Sequence, residues 1–289
     1  MEDLLRPVYQ ERASQSNTLG VLIIEKKKPI SPITDNFDVI LLIIVKDAET
    51  SWYVKHYEFD GKTAAMHIVD KELLNHWIDT STFQRAVEWI SNGKTIFDRN
   101  EYVANLKEEL SYFPQDKREY KLAMEFAKLT KSYSESKDLY ESTQYLDAYS
   151  KILRSLHYLA RLAIIEKGYH PEVIVWNQVK RIDPEVYKLF EELTKSDEDL
   201  NKRVELMLIA VEFALSSRAK LCSKHLIDIM KSNDVPWSFG ELKVHPEVEA
   251  YTLNLSSMVE YLTDKDILEV ILIETKGNIY HRKYKVKSV

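Results

Sequence analysis

A chain of 289 residues, 45% hydrophobic and 30% charged, has an ordinary globular make-up with room for two or three domains. Its 40 Lys and Arg stand against 46 Asp and Glu, a formal charge of −6, which argues against general, sequence-blind nucleic-acid binding but leaves room for a local basic patch. Cys222 is the only cysteine, which excludes an intrachain disulfide and a cysteine-based metal cluster.

The first residues, Met1 to Pro7, have neither the basic nor the apolar region of a signal peptide. The longest apolar run, Val39–Val45, is far short of the ~20 residues that cross a bilayer as a helix. A cytoplasmic protein without a membrane partner is expected.

The first hundred residues read as strands, turns and a few helices. Residues 19–24 and 39–45 are continuous β-branched and apolar runs, the pattern of strands buried on both faces. Pro29 and Pro32 keep the stretch between them irregular. Strands at 51–57 and 63–69 follow, joined through Asp60-Gly61, a hairpin signal. Helices at 71–78 and 82–91, a short strand at 94–97 and a helix at 100–110 capped by Asn100 complete an α/β domain.

Beyond Pro114 the pattern is helical. A stripe of Tyr145, Leu146, Tyr149, Ile152, Leu153, Leu156, Leu159, Ala160 and Ala163 predicts a helix from Glu141 to Lys167, stopped by Gly168. Its polar face carries Gln144, Asp147, Lys151, Arg154, Tyr158 and Arg161, with Asp147 and Lys151 spaced as a helix-stabilising pair; a solvated surface or substrate contacts would both account for it. Trp176 is expected to be buried packing. Asp183-Pro184 opens another helix, and a long amphipathic one runs from Leu200 to about Met230. After Pro236 come helical pieces near 246–251 and 255–262, then strands at 270–275 and 279–286 joined by Lys276-Gly277-Asn278, read as a type II′ turn.

Thr34-Asp35-Asn36-Phe37-Asp38, leading into the apolar run at Val39, has the look of a strand presenting carboxylates for two-metal nucleotidyl transfer. Here the chain resembles the nucleotidyltransferase superfamily, whose pattern is Gly-Ser, about ten residues, Ser-Asp-x-Asp and an apolar strand. More closely it resembles the nucleotidyltransferase-like family of Bacillus-type bacteria over essentially its whole length. The stretches that carry this are Leu5-Arg-Pro-Val-Tyr-Gln-Glu-Arg-Ala13, Val54-Lys-His-Tyr-Glu58, Phe97-Asp-Arg-Asn-Glu101, Gln144-Tyr-Leu-Asp-Ala-Tyr149, His170-Pro-Glu-Val173 and Trp176-Asn-Gln-Val-Lys180.

The resemblance implies an α+β protein of three parts: a nucleotidyltransferase-like α/β domain at 1–114, an antiparallel helical bundle like a substrate-binding domain at 115–232, and a helix-turn-helix or winged-helix-like unit at 233–289. Gly93-Lys-Thr-Ile-Phe-Asp98 resembles a late strand of small nucleotidyltransferases. Departures from the pattern bear on the chemistry. Asp38 takes the second carboxylate position, Asn36 takes the first, and Asp35 is one residue out of phase, which on a strand means the opposite face. Ile24-Glu25 stands where Gly-Ser belongs, and the third-carboxylate strand offers Ala65 and His67, or Ala64, Met66 and Ile68. Asp35 and Asp38 are the candidate catalytic and metal-binding residues, holding Mg²⁺ or Mn²⁺ only if the centre is active, with Glu58 as a further oxygen donor. Glu25, Lys28 and Asn36 are vestigial nucleotide-binding positions beside the Lys26-Lys27-Lys28 run.

Two other constellations carry weaker signals. Arg218 and His225, on one predicted helix, have the spacing of a ribonuclease motif in helical domains that accompany nucleotidyltransferases. In the C-terminal strand, Arg282, Lys283, Tyr284 and Lys285 interleave cations with an aromatic, a pattern that tracks phosphates and stacks bases of RNA or DNA, or that protects a sheet edge. The reading reached is a nucleotidyltransferase-like protein with an impaired catalytic centre, binding an NTP or a nucleic acid. The alternatives are an active enzyme with Asp35 and Asp38 as metal ligands, and an interaction protein without nucleotide.

Overall fold

The computed structural model describes residues 2–287, which form two compact units, one of residues up to 114 together with 170–174, the other of 115–169 together with the described residues from 175 onward. In the first unit the order is α1 (Glu2–Ser14), β1 (Thr18–Glu25), β2 (Val39–Val45), β3 (Trp52–Phe59), β4 (Lys62–Asp70), α2 (Lys71–Thr80), α3 (Arg85–Asn92), β5 (Lys94–Asp98) and α4 (Tyr102–Tyr112). The strands make one mixed sheet in the order β3-β4-β2-β1-β5, with β2 and β4 parallel and the other neighbours antiparallel.

Both faces of the central strands are covered, as their unbroken apolar runs require. Leu22, Ile40, Leu42, Ile44, Ala65 and Val69 pack with residues of α2, α3 and α4, including Leu74, Trp77, Trp89 and Leu106. The alternate residues Val21, Ile23, Leu41, Ile43 and Met66 pack with Leu5 and Tyr9 of α1. Sequence reading gave no helix at the N-terminus. Leu5, Val8 and Tyr9, spaced for one helix face, are the signal that finds it. Asp60 and Gly61 turn the β3–β4 hairpin with φ of 48° and 68°, both in the left-handed region that a type I′ turn needs.

Two expectations here are corrected. The segment from Thr34 is not strand: β2 begins at Val39, and Asp35 and Asn36 have φ of 48° and 66°. The Asn36 side chain stabilises this turn by accepting from the Ser31 amide at 3.0 Å, while its own amide donates to the Ser31 carbonyl at 3.1 Å. Asn100 does not cap α4. The Asp98 carboxylate does, accepting from Val103 and Ala104 amides at 2.8 and 3.0 Å.

The second unit contains α5 (Gln115–Glu141), α6 (Tyr145–Glu166), α7 (Val175–Ile182), α8 (Pro184–Lys195), α9 (Leu200–Cys222) and α10 (Lys224–Lys231). It continues with β6 (Trp237–Ser238), α11 (Phe239–Lys243), a 3₁₀ stretch (Pro246–Asn254), α12 (Leu255–Asp264), β7 (Leu268–Glu274) and β8 (Tyr280–Val286). α6 starts at Tyr145, later than expected, because Thr143 takes φ of 60° between α5 and α6. Its Lys151 pairs with Glu135 of α5 at 2.5 Å, rather than making the expected contact with Asp147. Gly168 ends the chain's run through α6 with φ of 83°, and Asp183 caps α8 through the Val186 amide, both as the sequence indicates.

The long helix expected from Leu200 to Met230 is two helices. Ser223 interrupts it: its hydroxyl donates to the Ala219 carbonyl at 2.6 Å, a back-bond that bends helices. The C-terminal sheet has the order β6-β8-β7. Gly277 and Asn278 have φ of 62° and 61°, so the β7–β8 turn has the type I′ pattern rather than type II′. α11 was not expected, although Ser238 and Glu241 form a capping box at its start. No helix among the described residues is long and apolar enough to cross a membrane.

Candidate functional site

α3 organises the loop that carries the candidate carboxylates. Arg85 and Trp89 lie one turn apart on α3 and both reach the 31–36 loop. Arg85 Nε donates to the Pro32 carbonyl at 2.8 Å, and Trp89 Nε1 to the Ile33 carbonyl at 2.8 Å. The two guanidinium Nη atoms of Arg85 then grip Asp35 at 2.6 and 2.7 Å, a bidentate ion pair. Asp38 is held elsewhere, its Oδ2 accepting from the amide of Thr63 at 2.9 Å and from the Thr63 hydroxyl at 3.3 Å. The amide bond holds the Asp38 carboxyl below its ordinary pKa against some desolvation, with Lys26 and Lys62 adding to the effect.

The third-carboxylate position on β4 is filled by His67, opposite Leu42 of β2 and 7% exposed. Trp52 Nε1 donates to its Nδ1 at 3.1 Å, so that nitrogen is the unprotonated acceptor. Burial pushes the His67 pKa down to about 4; Asp35 opposes this, and His56 and Arg85 add to it. Around the ring stand Trp52 and Trp89, with Trp77 and Phe83 packed against them at centroid distances of 5.0–5.4 Å and against each other at 4.6 Å. Asp70, at the end of β4, caps α2 through the Leu73 amide.

A divalent cation makes definite demands on these donors. Mg²⁺ needs several oxygens in octahedral array. Here one carboxylate is chelated by a guanidinium, the other is bonded to Thr63, and the third position presents a neutral imidazole inside an aromatic cluster. The set does not fit Mg²⁺ or Mn²⁺. Glu58 is exposed on β3 and sits opposite Thr63. Among the described residues no group of three His, Cys, Asp or Glu is placed to hold a metal ion.

The vestigial nucleotide positions lie at the rim. Glu25 is exposed at the end of β1, paired in register with Val39. Lys28 and Asn36 are exposed in the following loop, and Lys26 Nζ donates to the Asn36 carbonyl at 3.0 Å. The cationic side chains here are Lys26, Lys27, Lys28, Lys62 and Arg85, the last of them paired with Asp35.

In the C-terminal sheet the four cationic-strip residues split between two faces, since strand side chains alternate. Tyr284 is 8% exposed, with Trp237 and Val270 as its cross-strand neighbours. It therefore has no ring face free for a base, and its expected stacking role is corrected. Arg282 is exposed and lies over the Tyr284 ring at 5.7 Å. Lys283 approaches Glu241 at 3.9 Å, and Lys285 is half-buried opposite Glu269. α12, which would be the reading helix of a winged helix, exposes Ser256, Glu260 and Asp264. Its Tyr261 packs on Phe126 of α5 and donates to Glu212 of α9 at 3.5 Å, and Lys265 pairs with the same Glu212.

Comparison with known proteins settles the ancestry. Family models match along the chain: "Nucleotidyltransferase-like" at residues 1–118, "YgxA-like substrate binding domain" at 119–218 and "Helix-turn-helix domain" at 224–286. The chain is 47% identical over 289 residues to the protein YgxA of Bacillus subtilis (strain 168), covering 100% of this chain and 98% of that one. The chain belongs to the nucleotidyltransferase-like family. The crystal structure of a nucleotidyltransferase-like protein from Exiguobacterium sibiricum 255-15 superposes with a TM-score of 0.81 at 36% identity, covering 99% of each chain.

Within this nucleotidyltransferase-like protein, Arg218 and His225 do not form a pair. The break at Ser223 puts them on different helices. Arg218 bonds to Glu166 at 3.1 Å, while His225 Nδ1 meets the Tyr251 hydroxyl at 3.0 Å. Sequence reading missed Arg85 and the Trp52–His67 bond. Nothing local announces either, because Arg85 is 50 residues from Asp35 and becomes its neighbour only when α3 docks on the loop.

Proposed function

We propose that this nucleotidyltransferase-like protein is a binding protein in which metal-dependent nucleotidyl transfer has been lost. Its first domain would take the phosphates of a nucleotide on Lys26, Lys62 and Arg85, where protein cations do the neutralising otherwise done by metal ions. The observation that carries this reading is the bidentate Arg85–Asp35 pair beside a buried neutral His67, which ties up with a guanidinium the carboxylate that a metal ion would need. A cytoplasmic location fits a chain whose single cysteine is free and buried.

The test is calorimetric titration with NTPs in EDTA and in Mg²⁺ or Mn²⁺, alongside a pyrophosphate-release assay. Binding that persists in EDTA, weakens with salt and falls with Arg85→Ala is expected, with no pyrophosphate released. Metal-dependent release that disappears in Asp38→Asn would refute the proposal and restore the active-enzyme reading.

Nucleic-acid binding by the C-terminal unit is a second reading, supported by the match to a helix-turn-helix model and by the exposed Arg282. Because α12 presents Glu260 and Asp264, the β7–β8 wing is the better contact surface. RNA or DNA affinity should then fall as salt rises and fall further in Arg282→Glu with Lys285→Glu. Affinity indifferent to both changes would remove the wing.

A further inference from the structure

One face of α6 is the floor of a groove whose lining comes from α6, α7 and α8 alone. Leu153, Arg154, His157 and Tyr158 recur along it at helical spacing, and Trp176 and Phe190 form the facing wall. The groove measures about 730 Å³, within the ~300–1,000 Å³ typical of small-molecule sites.

The wall is aromatic and ordered. Trp176 and Phe190 stack with centroids 3.9 Å apart and planes 20° apart, and both are only half-buried. His157 meets Trp176 edge-on at 6.1 Å and 72°. The sequence expectation of simple buried packing for Trp176 is thus incomplete, because part of the indole borders the groove.

The floor is polar and uncommitted. Arg154 is exposed and has no carboxylate partner among the described residues. His157 and Tyr158 are half-buried yet make no hydrogen bond with described residues. Other charged residues of the same helix differ: Lys151 is paired with Glu135 at 2.5 Å, and Arg161 with Glu125 at 3.0 Å. Burial lowers the His157 pKa, with Arg161 adding to it and Glu125 opposing, and burial raises that of Tyr158. At neutral pH the imidazole is uncharged and the phenol keeps its proton, so both offer neutral hydrogen bonds. Arg154 supplies the one formal charge among the lining side chains, and it calls for an anion.

We propose that this groove binds a nucleoside phosphate, its base against the Trp176–Phe190 wall, its phosphate on the Arg154 guanidinium, and its sugar or base edge hydrogen-bonded by His157 and Tyr158. A stacking surface, a forked cation and two neutral hydrogen-bonding groups match the three parts of such a ligand. The site is separate from the cationic rim of the first domain and does not depend on whether that domain binds nucleotide.

The experiment titrates the full-length protein with AMP, GMP, CMP and UMP in EDTA, followed by calorimetry. Adenosine, inorganic phosphate and benzoate serve as controls. At least one monophosphate should bind, while adenosine and inorganic phosphate should each bind at least about tenfold more weakly, since each lacks one anchor. Arg154→Ala and Trp176→Leu should each weaken binding by about tenfold or more, and Arg85→Ala should leave this site unchanged. Arg154 is exposed and its removal leaves the fold intact, so the test stands even if Trp176→Leu disturbs packing; Trp176→Phe, which keeps a stacking ring, should bind within about threefold of the parent. Failure of all four monophosphates to bind at ~5 mM, a threshold near the millimolar floor of specific affinity, would overturn the proposal. So would affinity unchanged by Arg154→Ala, binding lost only with Arg85→Ala, or benzoate binding as tightly as the best nucleotide.

Discussion

Replacing Arg161 by methionine removes the guanidinium that neutralises Glu125 inside the helical bundle. Their side chains are 3% and 2% exposed, with Arg161 Nη2 donating to Glu125 Oε1 at 3.0 Å. At an effective dielectric constant of 20, two unit charges at that distance attract by about 5 kcal/mol. The titration of Glu125 gives a second figure. Burial would raise its pKa, but Arg161 first and Lys128 second outweigh burial and hold it at about 2, against 4.5 for the free group, a difference worth about 3 kcal/mol. Lys128 remains 3.1 Å from the same oxygen and softens the loss, so Arg161→Met should cost about 3 kcal/mol, the lower part of the range for breaking a buried pair. In urea that lowers the unfolding midpoint by about 1–2 M. Adding Glu125→Leu should recover most of the loss, because no buried charge is then left alone. The sign with pH follows from the depressed value: the pair's stabilisation is complete above pH 4.5 and disappears as pH falls toward 2. A single variant losing less than about 1 kcal/mol, or a double variant no more stable than the single one, would refute the reasoning.

His67 predicts a separate acid sensitivity in the first domain. Its folded pKa of about 4 lies below the free value of 6.5, so its contribution is complete above 6.5 and is lost as pH falls to 4; NMR should show its imidazole still neutral at pH 5.5, and a midpoint above 6 would contradict the burial argument. Gly93→Ala should destabilise the first domain by about 1–3 kcal/mol, because a Cβ there meets the Trp89 carbonyl oxygen at 2.4 Å; thermal melting reads this, and an unchanged midpoint would exclude the clash. Cys222 is fully buried, and its thiol pKa is raised by burial and then by Glu166. Ellman's reagent should therefore react only on unfolding, and fast labelling of the native protein would show the thiol to be accessible.

The sheet of the first domain was legible because β1 and β2 are unbroken apolar runs, a pattern that double-sided burial demands. The Asp60-Gly61 hairpin was legible because its turn needs two residues tolerant of positive φ. The loop before β2 was not. The strand expected through Asn36 and Asp38 gives way to a turn that the Asn36 side chain closes on Ser31, so strand parity no longer decides where Asp35 points. The partners of the carboxylates were equally hidden, since Arg85 and Thr63 reach them through docking of α3 and of the β3–β4 hairpin. In the bundle, the stripe on α6 was clear, but the break at Ser223 depends on one hydroxyl competing for a backbone carbonyl. That single bond separates Arg218 from His225, which sequence spacing alone had placed together.

The attachment of α12 to the bundle has a consequence of its own. Tyr261 and Lys265 converge on Glu212, and Tyr261 also covers Phe126, so the C-terminal unit is bolted to the helices that precede it rather than hanging from a tether. A molecule gripped by the wing would pull on α9 and α5 directly, with no slack to absorb the load. The helical domain and the winged unit are then a single lever, and a chain cut short before α12 would leave a bare aromatic patch where the lever had its joint.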